Sequence, residues 1–152
     1  MRHDLIDAVF ALGGEDDLVR LLARVKALQA FVATDDGANL LIGYKRAANI
    51  LRKEEWRGTG EAKPLSYKPE LAESALIGAL DQAEAAADAA VKDENFEAAM
   101  AALASLRGPI DAFFDSVTVN DPDPEKRTAR LDLLARIRRA VHRVADFSKI
   151  EG

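Results

Sequence analysis

Apolar residues recur every three or four positions along this chain, and glycine, proline and acidic residues mark the breaks between the runs. That period is helical. The first run holds Leu5, Ile6, Val9, Phe10 and Leu12, with Asp4 placed to cap it and Gly13-Gly14 to end it. Asp16 or Asp17 opens a second run of Leu18, Leu21, Leu22, Val25, Leu28 and Val32, and Thr34-Asp35-Asp36-Gly37 predicts its stop. A third helix is expected over residues 38–53, followed by a polar loop over 54–69. A fourth, rich in alanine, is expected over 70–91. The fifth carries Phe96, Ala99, Met100, Leu103 and Leu106 and ends at Gly108, so that Pro109 takes the first position of a short sixth. That helix holds Ile110, Phe113, Phe114 and Val117. In the turn that follows, Asp123 is placed as N-cap and Pro124 as the first residue of a last helix burying Leu134, Ile137, Val141 and Val144.

The longest alternation of strand type, Val117-Thr118-Val119, is too short to carry a sheet. Alanine supplies 29 of 152 residues, against nine glycines and five prolines, which strengthens the helical reading. The expected fold is all-α: a single bundle of about six or seven helices joined by short connections. No internal repeat is evident, and 152 residues suit one domain. Without cysteine, disulfides, thiolate nucleophiles and cysteine-based metal sites are excluded. No apolar run approaches the ~20 residues of a membrane span, and the start does not read as a signal peptide. A soluble, cytoplasmic protein without a membrane partner is expected.

Charge changes the picture further. Residues 1–57 are neutral overall, residues 58–125 carry a net −10 and residues 126–152 a net +5. A basic end beside an acidic middle is an asymmetry found in polyanion binders with an acidic total. At 100° per residue, Lys45, Asn49 and Arg52 share one face of the third helix. Arg46 and Lys53 flank them, with Leu40, Leu41, Tyr44, Ala48 and Leu51 opposite. Cations that meet phosphates and an amide that can pair with a base edge suit RNA, although a solvated helix face has the same pattern. On the last helix Arg136, Arg139 and Arg143 cluster opposite the leucines, with Arg127, Arg138 and His142 on the flank, and the same two readings apply.

Arg130 falls in the middle of the apolar face, where a charge needs a partner. Asp111 and Asp115, just before the turn, are the natural candidates, so a structural ion pair of Arg130 with Asp115 is expected, in preference to a ligand-binding arginine. The acidic turn 120–125 lacks the central glycine of a calcium loop and reads as a helix start, and no metal site is expected. Gly58-Thr59-Gly60 lacks the context of a phosphate-binding loop. Trp56, Tyr67 and Tyr44 could stack on bases, but packing or loop anchoring is the commoner fate of such residues. No nucleophile, general base or cofactor motif supports catalysis, so no catalytic residue is assigned.

Two stretches carry more information: YKRAANILRKEE at 44–55, and LRGPIDAFFDSVTVNDPDPEKRTARLDLLARIRRAVHRVADFSKIEG at 106–152. Their Pro-Ile-Asp, paired Phe, Asp-x-Val-x-Val, Arg-Leu-x-Leu-Leu and terminal Ala-Asp-Phe-Ser-Lys resemble the C-terminal anticodon-binding domain of bacterial glycyl-tRNA synthetase β subunits. That domain is of the DALR type shared with arginyl-tRNA synthetase. The literal Asp-Ala-Leu-Arg is absent, so the likeness rests on the wider pattern. It implies a helical bundle that docks on the anticodon stem-loop of glycine tRNA, not on DNA, with Lys45, Arg46, Asn49 and Arg52 on its basic helix. It also implies a parent ligase that attaches glycine using ATP with magnesium, handled mainly by an α subunit. This domain itself would then carry no cofactor, and its protein partners would be the remainder of the β subunit and the α subunit. Residues 1–152 are accordingly expected to be one anticodon-binding domain cut from the C-terminal end of a longer subunit. The rival expectation is a docking module within the assembly that touches no RNA; an independent enzyme ranks third.

Overall fold

The computed structural model describes residues 3–11, 17–56, 65 and 67–150. Among them are seven α-helices, no strand and a closing 3-10 turn. The helices are α1 (His3–Phe10), α2 (Leu18–Val32), α3 (Asp35–Lys53), α4 (Leu71–Lys92), α5 (Phe96–Ala104), α6 (Arg107–Ser116) and α7 (Pro124–His142), and the turn is Phe147–Lys149. The all-α bundle expected from the periodicity is the fold found. Gly13-Gly14 and Gly58-Thr59-Gly60 lie outside the described residues.

Several boundaries follow from side-chain chemistry visible in the sequence. Asp17 accepts from the backbone N–H groups of Val19 and Arg20 at the start of α2. Asp123 caps α7 through the N–H of Glu125, and Pro124 stands at its first position, where the missing N–H costs nothing.

Two boundaries differ from expectation. Thr34-Asp35-Asp36-Gly37 does not stop α2; it starts α3. Thr34 Oγ1 donates to the Phe31 carbonyl at 2.6 Å and accepts from the Gly37 N–H at 3.0 Å, so one hydroxyl joins both helices. Asp35 and Asp36 then sit in the first turn, where the helix dipole favours negative charge. Gly37 is required by space: a Cβ there would lie 1.9 Å from the Phe31 carbonyl oxygen. Likewise α6 begins at Arg107, so Gly108 and Pro109 are its second and third residues. First-turn N–H groups have no partner within the helix, so proline is tolerated there too.

α3 is the axis of the bundle, packed against α2, α5, α6, α7 and the 3-10 turn. Leu40, Leu41, Tyr44, Ala47 and Leu51 on its inner side are buried. The Tyr44 ring meets Phe147 edge-on at 5.7 Å, and its hydroxyl lies 3.0 Å from His142 Nε2. Burial and the nearby Asp146 carboxylate push the Tyr44 pKa up to about 12. His142 is held below its ordinary pKa by burial, against the opposing charge of Asp146.

The acidic middle and basic end of the chain meet along the α4–α7 seam. Arg136 reaches Asp81 and Glu84, and Arg143 reaches Asp88 at 2.7 Å. At the other end of α4, Arg130 donates to Glu73 at 2.9 Å, to Asp121 at 3.2 Å and to the Thr118 carbonyl at 2.7 Å. The expected partner Asp115 is therefore replaced by Glu73 and Asp121, and Asp111 pairs instead with Arg107. The reason is geometric: Asp115 is exposed on α6, while Glu73 is sealed within the α4–α7 contact. Glu73 also accepts from the Tyr67 hydroxyl and, at 3.1 Å, from the Glu70 N–H, closing a capping box on α4. Burial alone would raise its pKa; hydrogen bonds from Arg130 and Tyr67 outweigh that and hold the carboxyl below its ordinary value.

Two predictions follow from this packing. Gly37→Ala should lose about 1–3 kcal/mol to the clash with the Phe31 carbonyl. Gly78→Ala, at an exposed position of α4 with open space around it, should gain roughly 0.5–1 kcal/mol. Urea unfolding of both variants checks the opposite signs. Glu73→Gln should cost about 3 kcal/mol at neutral pH, because Arg130 loses its buried counter-charge and keeps only the partly exposed Asp121. Since the folded-state pKa of Glu73 is depressed, its contribution is present above the carboxylate range and lost as pH falls through it. The variant should therefore show a shallower loss of stability on acidification than the parent.

Candidate nucleic-acid interface

With its inner side fixed in the core, α3 presents Ile42, Lys45, Arg46, Asn49, Ile50 and Lys53 along an open groove of about 590 Å³. Asn49, Arg52 and Lys53 are exposed, and Arg52 donates to the Asn49 side-chain oxygen at 2.8 Å. That contact leaves the two amide hydrogens of Asn49 to point elsewhere. The Arg46 guanidinium lies 4.3 Å above the ring of Phe114 on α6. Arg52 and Lys53 close the last turn of α3, where the helix dipole favours cations. Beyond it, Glu54 accepts from Arg127, whose Nε also donates to Asn120 at 2.9 Å, tying the end of α3 to the turn before α7.

Of the residues singled out from the sequence, Lys45, Arg46, Asn49 and Lys53 line the groove, with Arg52 bonded to one of them. The α7 cluster is not brought together. Arg136 is 4% exposed and engaged with Asp81 and Glu84, and Arg143 is paired with Asp88 and Glu84. Their outward helical angle points at α4 and not at solvent, which removes both from the candidate surface. Arg139 alone of the three is exposed, and no carboxylate among the described residues pairs with it.

The three aromatics considered for stacking are otherwise occupied. Tyr44 is core, Trp56 Nε1 donates to Asp132 at 3.1 Å, and Tyr67 is bonded to Glu73 with Lys126 over its ring. In the acidic turn, Asp121 accepts from the Asp123 N–H and from Arg130, while Asp123 caps α7.

Sequence reasoning missed three residues of the site: Ile42, Ile50 and Phe114. Ile42 is 64% exposed, an apolar side chain amid cations. Its position three residues before Lys45, on the polar side of the helix, was the available signal. Phe114 carried none, because its contact with Arg46 joins two helices distant in the chain.

The model of the DALR anticodon binding domain matches residues 40–151, from the middle of α3 to the end of the bundle. The chain is similar to the glycine–tRNA ligase beta subunit of Rhodospirillum centenum, 55% identical over all of this chain and 22% of that protein. The beta subunit from Phenylobacterium zucineum is 54% identical over 99% of this chain and 23% of its own length. That of Cereibacter sphaeroides is 49% identical over all of this chain and 22% of its own length. The chain thus spans less than a quarter of these relatives, and over that span it is a member of the DALR anticodon-binding domain family.

Proposed function

We propose that this chain is the non-catalytic, RNA-recognising part of a glycine–tRNA ligase β subunit, and that the outer face of α3 docks on the anticodon stem-loop of glycine tRNA. The observation that carries the reading is the groove itself. Cations, a half-satisfied amide and an exposed isoleucine share it, within the stretch matched by the anticodon-binding family. Lys45, Arg52 and Lys53 meet phosphates, which position the RNA without reading it. Asn49, its oxygen already taken by Arg52, offers its amide hydrogens to an acceptor on an unpaired base. Arg139 is a further phosphate contact on α7.

Docking the stem-loop orients the distant acceptor end of the tRNA toward the rest of the ligase, a contribution of position and not of chemistry. Attachment of glycine, with its ATP and magnesium, belongs in this reading to the remainder of the β subunit and the α subunit. The assembly would work in the cytoplasm; no described helix is long and apolar enough to cross a membrane.

A second reading, a docking module that touches no RNA, is favoured by the exposed apolar residues Leu18, Val19 and Leu22 at the start of α2, with Phe10 on α1. Salt separates the two. RNA binding should weaken with a log–log slope near one per phosphate contact, whereas an apolar docking face should barely respond. Lys45→Glu and Arg52→Glu should each weaken binding of glycine tRNA by about tenfold or more and flatten the salt slope by about one. Circular dichroism should show both variants folded. Unchanged affinity in both would remove α3 from the interface.

A further inference from the structure

Among the described residues two arginines lie on phenylalanine rings, and the difference between them is informative. Arg24 sits 4.8 Å over Phe96 and is 7% exposed, so that pair is closed into the α2–α5 contact. Arg46 sits closer, 4.3 Å over Phe114, yet is exposed on the wall of the α3 groove. Phe114 is held in turn by the buried Phe113, edge-on at 5.8 Å. Among the described residues no carboxylate pairs with Arg46. Its guanidinium carbon therefore rests over an aromatic ring that Phe113 buttresses, while the side chain lines the groove.

A planar, weakly hydrated cation held over a ring in this way offers a stacking surface to a flat partner, which an ammonium would not. The geometry points to Arg46 as a stacking platform for a single unpaired base of an RNA loop, with Phe114 as the residue that positions it. This inference rests on the RNA-binding reading above and assigns one contact within it. The base would complete a three-layer stack of phenylalanine, guanidinium and nucleobase. Exposed Ile42, one turn earlier, gives the stack an apolar flank. Asn49, one turn later, places its amide hydrogens beside the base edge. Lys45 and Lys53 remain for the phosphates on either side.

The test measures this 152-residue chain against the anticodon stem-loop of glycine tRNA and a series of the same hairpin in which each loop nucleotide in turn is abasic. Removal of one base should weaken binding to the parent protein by about tenfold, the loss of one stack. Arg46→Lys keeps the charge and loses the plane, and it lies on an exposed position that does not threaten folding. It should weaken the intact loop to a similar degree with an unchanged salt slope, and should weaken the matching abasic hairpin no further. Phe114→Leu should repeat that pattern more weakly, the guanidinium being present but no longer held.

If Arg46→Lys binds the intact loop as tightly as the parent, charge alone matters and the platform is overturned. A loss of the same size on every abasic hairpin overturns it as well, since no one base is then coupled to Arg46. If the parent chain binds none of the hairpins at low salt, the RNA reading falls and takes this inference with it.

Discussion

A guanidinium withdrawn from water must be met by a carboxylate, and in this bundle that requirement falls on Arg130. The side chain sits in the middle of the apolar face of α7, 3% exposed, and Glu73 beside it is fully buried. Moving such a charge into the interior alone would cost many kcal/mol, so the partners are drawn to it. The N-terminus of α4 arrives through Glu73, Tyr67 fastens the segment before it, and the turn before α7 closes over it through Thr118 and Asp121. With α4 and that turn anchored, α7 packs along α3. These contacts therefore help to place one of the helices against which α3 buries its inner side.

The same logic accounts for the uneven charge of the chain. A net −10 in the middle and +5 at the end resembles a polyanion binder in miniature, yet much of it is spent internally. Arg130, Arg136 and Arg143 face Glu73, Asp81, Glu84 and Asp88 along the α4–α7 seam. Outside the seam, Arg46, Arg52 and Lys53 gather beside Lys45 on the short outer face of α3, and Arg139 stands exposed on α7. An acidic protein can therefore present a positive groove without a positive total, and electrostatic attraction at that groove depends on local charge more than on the sum.

The helices were legible because periodicity and capping are local properties. Asp17, Asp123 and Pro124 do in the fold what their types suggest, and the α3 residues grouped by angle stay together in space, Lys45, Arg46, Asn49 and Lys53 on the groove and Arg52 beside it. The misreadings share a cause. Thr34-Asp35-Asp36-Gly37 has the composition of a stop, but whether such a run ends one helix or begins the next depends on how closely the two approach, and Gly37 records that approach. Helical angle says which residues share a face and not what lies against it, so Arg136 reads as solvated until α4 is in place. Arg130 announces its need for a partner, yet Glu73 stands 57 residues away and nothing local names it. Phe114 illustrates the same limit at the site itself: its value lies in the arginine from another helix that rests on it.

The central claim, that the outer face of α3 is where RNA docks, is tested most directly by titrating the anticodon stem-loop of glycine tRNA into isotopically labelled protein and following the backbone amides by NMR. The account predicts shifts concentrated on residues 42–53 of α3 and at Phe114, with the amides of Asp81, Glu84 and Arg136 in the α4–α7 seam unmoved. Shifts gathered instead on the α1–α2 surface around Leu18 and Leu22, or none on α3 at saturation, would contradict it.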